Sequence, residues 1–125
     1  MTDDIDVLAP FVEHPADAAV VVDFDGTLSP IVDVPAEARP ADGAVDALAD
    51  LTARFGLVAV MSGRPVDFLR PLLPAGVVLS GLYGLEVVRD GLRVELPGTD
   101  AWREVVAHVA RRSADHGPAG MVVDD

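Results

Sequence analysis

Apolar residues fall in short runs separated by turn-forming residues, and these runs set the expected elements. Ala18-Ala19-Val20-Val21-Val22-Asp23-Phe24 is apolar and β-branched without clean alternation. That pattern fits a strand buried on both faces of a parallel sheet. It ends in Asp25-Gly26-Thr27, a sharp turn signal. Residues 28–40 hold Pro30, Pro35 and Pro40 and read as a loop. Val45, Leu48, Leu51 and Phe55 recur at helical spacing, predicting a helix over 41–54 that Gly56 closes. Leu57 to Met61 reads as a second buried strand. Pro65 suits the first turn of a helix reaching Arg70, and Pro71 and Pro74 end that region. Val77 to Leu79 is a third short strand. Leu85 to Val88 and Leu92 to Leu96 flank Arg89-Asp90-Gly91 as a hairpin. Thr99 or Asp100 can cap a helix over 101–115, with Trp102, Val105, Val109 and Arg112 along one packed face. Met121-Val122-Val123 starts another strand.

Strand, helix, strand, helix, strand at short spacing predicts an α/β fold, a Rossmann-type parallel sheet with crossover helices. Residues 1–17 read as a lead-in holding one short turn between Leu8 and Val12, and residues 18–125 as the core. There is no internal repeat, heptad pattern or low-complexity tract.

Charge narrows the function classes. The 125 residues carry 21 acids against 9 bases, for a formal charge of -12. All nine bases are Arg, and no stretch forms the basic stripe that nucleic acid or an anionic membrane would need. Without Cys there is no disulfide or thiolate chemistry. The start, Met1-Thr2-Asp3-Asp4, lacks the basic region of a signal peptide, and no apolar run reaches membrane-spanning length. A soluble cytoplasmic protein is the expectation. His14, His108 and His116 are scattered without metal-ligand spacing, and Arg111-Arg112 suits a helix C-terminus.

The chemistry concentrates in Asp23-Phe24-Asp25-Gly26-Thr27-Leu28, directly after a buried strand. Sites in open α/β sheets lie at the carboxyl ends of strands. Two carboxylates there repel, and a hard cation such as magnesium relieves the repulsion. One carboxylate can attack phosphorus, and the other can protonate the leaving oxygen and later activate water. A pair of acids capping a turn is the plainer alternative. Ser62-Gly63-Arg64-Pro65 follows the second strand and precedes a helix N-terminus, where phosphate oxygens are welcome. Arg64 there meets phosphate or faces solvent. Gly81-Leu82-Tyr83-Gly84-Leu85-Glu86 follows the third strand, and its two glycines let the chain approach a ligand closely.

The hexapeptide resembles the first signature of the haloacid-dehalogenase-like (HAD) phosphatases, Ser62 matches the second, and Ser62-Gly63-Arg64-Pro65 looks like the version found in trehalose-6-phosphate phosphatases. The resemblance runs from about Ala18 to Leu96 and more weakly through the last helix. It implies Asp23 as the nucleophile that becomes an aspartyl-phosphate and Asp25 as the general acid/base. Asp23 and Asp25 would also hold Mg2+. It implies Thr27, Ser62, Gly63 and Arg64 around the phosphate, and Gly81, Tyr83, Gly84 and Glu86 beside a small-molecule sugar phosphate. The implied reaction is magnesium-dependent hydrolysis of trehalose 6-phosphate.

Two features of that family have no counterpart here. One is a phosphate-binding Lys, and this sequence has none. The other is a Gly-Asp-Asp type loop, for which Asp124-Asp125 lacks the preceding Gly. The sequence therefore reads as the N-terminal part of a HAD-like core, incomplete, with the cap domain only begun. The other readings are a phosphatase for a different sugar phosphate, and a catalytically inactive chain acting only by protein interaction. Self-association through an exposed sheet edge is expected of such a partial sheet.

Overall fold

The computed structural model of the chain describes residues 7–123. Two compact units divide it, Met1–Val94 and Glu95–Asp125.

The first unit opens with a short helix α1 (Ala9–Glu13) and a 3-10 turn over Pro15–Asp17, then strand β1 (Ala19–Asp23). Helix α2 (Ala44–Thr52), strand β2 (Leu57–Met61), helix α3 (Val66–Leu69), strand β3 (Val78–Gly81) and strands β4 (Glu86–Arg89) and β5 (Leu92–Glu95) follow. The strands form one sheet in the order β1-β2-β3-β4-β5. β1, β2 and β3 are parallel, and β4 runs antiparallel to β3. The expected parallel sheet is thus a parallel three-stranded block extended by an antiparallel hairpin. The α/β Rossmann-type reading holds.

Burial explains the strand identities. Val58, Ala59 and Val60 of β2 are buried, as a central parallel strand requires. Val58 and Val60 pack with Phe24, Ala38, Leu48, Val66, Leu69, Leu79 and Val88. β1 alternates between exposed and half-buried positions, because it is the outer strand of the sheet. Val21 is 52% exposed there, and Met61 on β2 is 51% exposed.

Several expectations shift. α2 ends at Thr52, and Gly56 is not its left-handed cap. A Cβ at Gly56 would stand 2.1 Å from the Ala16 carbonyl oxygen, so close backbone approach explains that glycine. The Gly56 N–H donates to the Pro15 and Ala18 carbonyls and ties the segment before β1 to the start of β2. Pro65 occupies the cap position with extended backbone, and α3 begins one residue later.

The second unit holds helix α4 (Thr99–His116). Gly98 stands at its cap position, where Thr99 or Asp100 was expected, and the Thr99 hydroxyl donates to the Leu96 carbonyl. None of its residues is buried. Trp102 is 68% exposed. Met121–Val123 is not a strand. Met121 instead meets Gly117, where a Cβ would collide with its side chain. Among the described residues, no helix is long and apolar enough to cross a membrane.

Candidate active site

Sheet register brings the separated motifs to one edge. Asp23 pairs with Met61, and Met61 pairs with Ser80. These three residues form a row across the carboxyl ends of β1, β2 and β3. Every expected site residue follows one of those ends by a few positions or stands on it.

After Asp23 the chain turns tightly. The N–H groups of Thr27, Leu28 and Ser29 all point to the Phe24 carbonyl, at 3.3, 3.0 and 2.9 Å. The Gly26 N–H donates to the Ser29 carbonyl at 2.7 Å, and Ser29 is buried. Phe24 faces the core while Asp23 and Thr27 face solvent. The Thr27 main-chain N–H is used inside this turn, so its hydroxyl is the group it offers outward.

Asp25 turns toward β2. Its Oδ2 accepts from Arg64 Nε and its Oδ1 from Arg64 Nη2, both at 2.8 Å. Such a fork-to-carboxylate pair is the strong form of an ion pair. A third guanidinium nitrogen donates to the Pro35 carbonyl at 2.6 Å. Arg64 also lies over the Phe68 ring at 4.3 Å, and Phe24 packs edge-on to Phe68. The guanidinium is therefore fixed from several sides. Hydrogen bonds from Arg64 hold the Asp25 carboxyl below its ordinary range; partial burial opposes this, and the Arg64 charge adds to the lowering. Asp25 is ionised at neutral pH.

Ser62 is buried at the end of β2. Its hydroxyl oxygen accepts the Arg64 main-chain N–H at 3.1 Å and keeps a proton to donate. Gly63 lies beneath Tyr83, and a Cβ on Gly63 would stand 2.6 Å from the Tyr83 ring. Tyr83 itself is 90% exposed. The turn that presents it is strained: Leu82 and Tyr83 have φ of 49° and 56°, a left-handed region that costs a non-glycine residue of order 1–3 kcal/mol. Hydrogen bonds from Leu82 N–H to the Arg64 carbonyl and from Tyr83 N–H to the Ser62 carbonyl, both 3.1 Å, hold it.

Glu86 stands apart from the outward-facing residues of its own stretch. It is 3% exposed. One carboxylate oxygen accepts the Val66 N–H at 2.5 Å, and the other pairs with Arg93. The structure brings together Asp25, Ser62, Gly63, Arg64, Gly81 and Tyr83, places Asp23 at the end of β1 and Thr27 on the turn that follows, and directs Glu86 inward.

Phe68, the platform under Arg64, has no mark in the sequence, because Arg64 precedes α3 and helical i,i+4 spacing does not apply to the pair. Arg93 was missed as well, with no local signal to mark it.

The oxygen chemistry of this edge suits a hard cation in part. Magnesium takes one or two carboxylates and completes its shell with water and phosphate oxygens. The Asp23 carboxylate and the Asp25 main-chain carbonyl are donors of that kind, whereas the Asp25 carboxylate is held by Arg64. No group of three or more His, Cys, Asp or Glu placed to hold a metal occurs among the described residues.

A sequence model of the trehalose-phosphatase family matches residues 21–122. The chain is 42% identical over 115 residues to the trehalose-phosphate phosphatase of Mycolicibacterium paratuberculosis, covering 89% of this chain and 28% of that protein. It is 35% identical over 128 residues to the trehalose-phosphate phosphatase of Mycobacterium leprae, covering 99% of this chain and again 28% of the relative. The chain thus spans under a third of the length of these relatives. The C-terminal domain of the C. albicans trehalose-6-phosphate phosphatase has the same fold, with a TM-score of 0.69 and 28% identity over 86% of this chain and 39% of that one. With the family's match running from β1 past α4 and across the whole row of strand ends, this chain belongs to the trehalose-phosphatase family.

Proposed function

We propose that this chain carries the nucleophile and the general acid/base of a magnesium-dependent phosphatase acting on trehalose 6-phosphate. The observation that carries the reading is the convergence of Asp23, Asp25, Ser62 and Arg64 at the ends of β1 and β2. Membership in the trehalose-phosphatase family supports the sugar.

An Asp23 oxygen attacks phosphorus and the bond from phosphorus to the sugar oxygen breaks; Asp25, ionised while Arg64 holds it, has to leave that pair and take up a proton from solvent before it can give one to the leaving oxygen. Water then attacks the aspartyl-phosphate. Asp25 takes a proton from that water, the acyl-phosphate bond breaks, and phosphate leaves with Asp23 restored as a carboxylate. The Thr27 and Ser62 hydroxyls, the Gly63 backbone and the Arg64 guanidinium surround the phosphate. The Gly81–Gly84 turn, with Tyr83 outward, faces the sugar. The Asp23 carboxylate and the Asp25 main-chain carbonyl would hold magnesium, which supplies positive charge against the phosphate oxygens.

A second reading is a catalytically silent chain. The lack of Lys anywhere in the sequence and the clamp of Arg64 on Asp25 favour it. Phosphate release from trehalose 6-phosphate with millimolar magnesium decides between the two. Turnover that Asp23→Asn abolishes supports the enzyme, because an amide cannot form the acyl-phosphate. Turnover that survives in Asp23→Asn sinks it. A parallel series with sucrose phosphate and glucosylglycerol phosphate tests the choice of sugar.

A further inference from the structure

We propose that Glu86 is a positioning residue that fixes the Ser62–Val66 segment, and through it the reach of Arg64 to Asp25, rather than a ligand of the sugar. The inference rests on the phosphatase reading for what the segment binds, but its geometry stands independently.

Glu86 begins β4, the strand that runs antiparallel to β3. Its carboxylate lies under the start of α3. At 3% exposure it is closed to a solvent-borne sugar, and a charged carboxylate survives such burial only when hydrogen-bonded and paired. Both conditions are met. The Val66 N–H is one of the orphan donors that every helix start leaves, and Glu86 accepts it at 2.5 Å. Arg93 from β5 pairs with the other oxygen and also reaches the Asp67 carboxylate at 3.0 and 3.1 Å. The hairpin is thereby tied to α3 through one buried acid.

The same stretch grips the segment at three more points. Gly81 packs so closely that a Cβ there would stand 2.8 Å from both the Arg64 carbonyl oxygen and the Val66 nitrogen. The Leu82 and Tyr83 N–H groups donate to the Arg64 and Ser62 carbonyls. Residues 81–86 therefore hold the backbone of residues 62, 64 and 66 in alternation. Glu86 supplies the single charged contact, at the far end of that grip. The left-handed pair Leu82–Tyr83 is retained only if such contacts outweigh its strain. Removing the Glu86 carboxylate frees Val66, loosens the start of α3, and lets the Arg64 guanidinium leave its geometry on Asp25.

The test uses this chain with Glu86→Ala and Glu86→Gln. Gln keeps an acceptor for the Val66 N–H and loses the charge. The first readout is the 1H–15N signals of the Val66 amide and the Arg64 Nε–H. Glu86→Ala should move both, Glu86→Gln should move them less, and the β2 amides of Val58 to Val60 should stay. The second readout is binding of inorganic phosphate and, separately, of trehalose. Loss of a charged hydrogen bond that positions the phosphate residues should weaken phosphate about tenfold in Glu86→Ala and less in Glu86→Gln. Trehalose binding should not change. An Arg64 Nε–H signal unmoved in Glu86→Ala overturns the proposal, as does a loss of trehalose affinity with phosphate affinity intact. Should Glu86→Ala fail to fold, Glu86→Gln and Glu86→Asp carry the comparison, again decided by the Arg64 signal. A wild-type chain that binds neither phosphate nor trehalose would count against the phosphatase reading, while the Arg64 signal still judges the role of Glu86.

Discussion

The Tyr83 ring occupies the space where any other residue at position 63 would carry its Cβ, 2.6 Å from the ring carbon that bears the hydroxyl. Gly81 stands in the mirrored situation, with its missing Cβ blocked by the Arg64 carbonyl and the Val66 nitrogen at 2.8 Å. The two segments that build the site are fitted glycine to neighbour on both sides. The neighbours differ in kind, and the difference makes a prediction. Gly81→Ala pushes on backbone that cannot give, so it should cost about 1–3 kcal/mol of stability, the range for an overpacked site. Gly63→Ala pushes on an exposed side chain that can swing away, so its cost should be well under 1 kcal/mol. Urea unfolding of the two variants checks this, and equal losses would refute it.

The predicted fold was legible where burial alone decides. The strand Leu57–Met61 stands at the bounds its apolar run gives, because a central strand needs nothing but apolar side chains. The row Asp23, Met61, Ser80 follows from strand ends that the turn residues already mark. What burial does not decide was less legible. Only the family resemblance set Glu86 beside the sugar, and its own run of glycines and apolar residues gives no direction for the side chain. Its inward direction depends on α3 and Arg93, which are distant in sequence and reach it only once the sheet is formed. Helix α4 has an amphipathic pattern that predicts a packed face, yet none of its residues is buried.

Arg64 should matter in two separable ways. Arg64→Gln removes a two-point pair of partly exposed groups, worth about 1 kcal/mol or less. It also removes a stacked cation over Phe68, worth about 0.5–1 kcal/mol. Arg64→Lys should not restore either fully, because an ammonium cannot form the fork. The acid side follows from the depressed Asp25 carboxyl, whose ordinary value is 3.8. A carboxyl lowered in the folded state stabilises the fold above its unfolded value and loses that contribution as pH falls through the folded one. Wild type should therefore lose stability below pH 3.8 more steeply than Arg64→Gln, and the two should differ by a constant amount at neutral pH. Unfolding midpoints between pH 2 and 7 measure this, and curves that stay parallel through the acid range would refute it.

The last prediction concerns the outer strand. β1 is all apolar until Asp23, and it lies at the end of the sheet order. An outer strand presents unpaired N–H and C=O groups along one side, and natural sheets blunt such edges with charge, proline or a covering segment. Ala19-Val20-Val21-Val22 carries none of the first two. Val21 is 52% exposed and Met61, close to it on β2, is 51% exposed, so an apolar surface adjoins the edge that no strand among the described residues pairs. A net charge of -12 opposes close approach of two copies at low salt, and screening weakens that repulsion. Self-association of this chain should therefore grow with salt as well as with concentration. Val21→Lys puts a charge on the exposed face of the edge strand and should shift the population toward monomer at every salt concentration. Sedimentation velocity of wild type and Val21→Lys between low and high salt reads the outcome. A wild-type chain that stays monomeric throughout, or one whose association Val21→Lys leaves untouched, would place any self-contact elsewhere than β1.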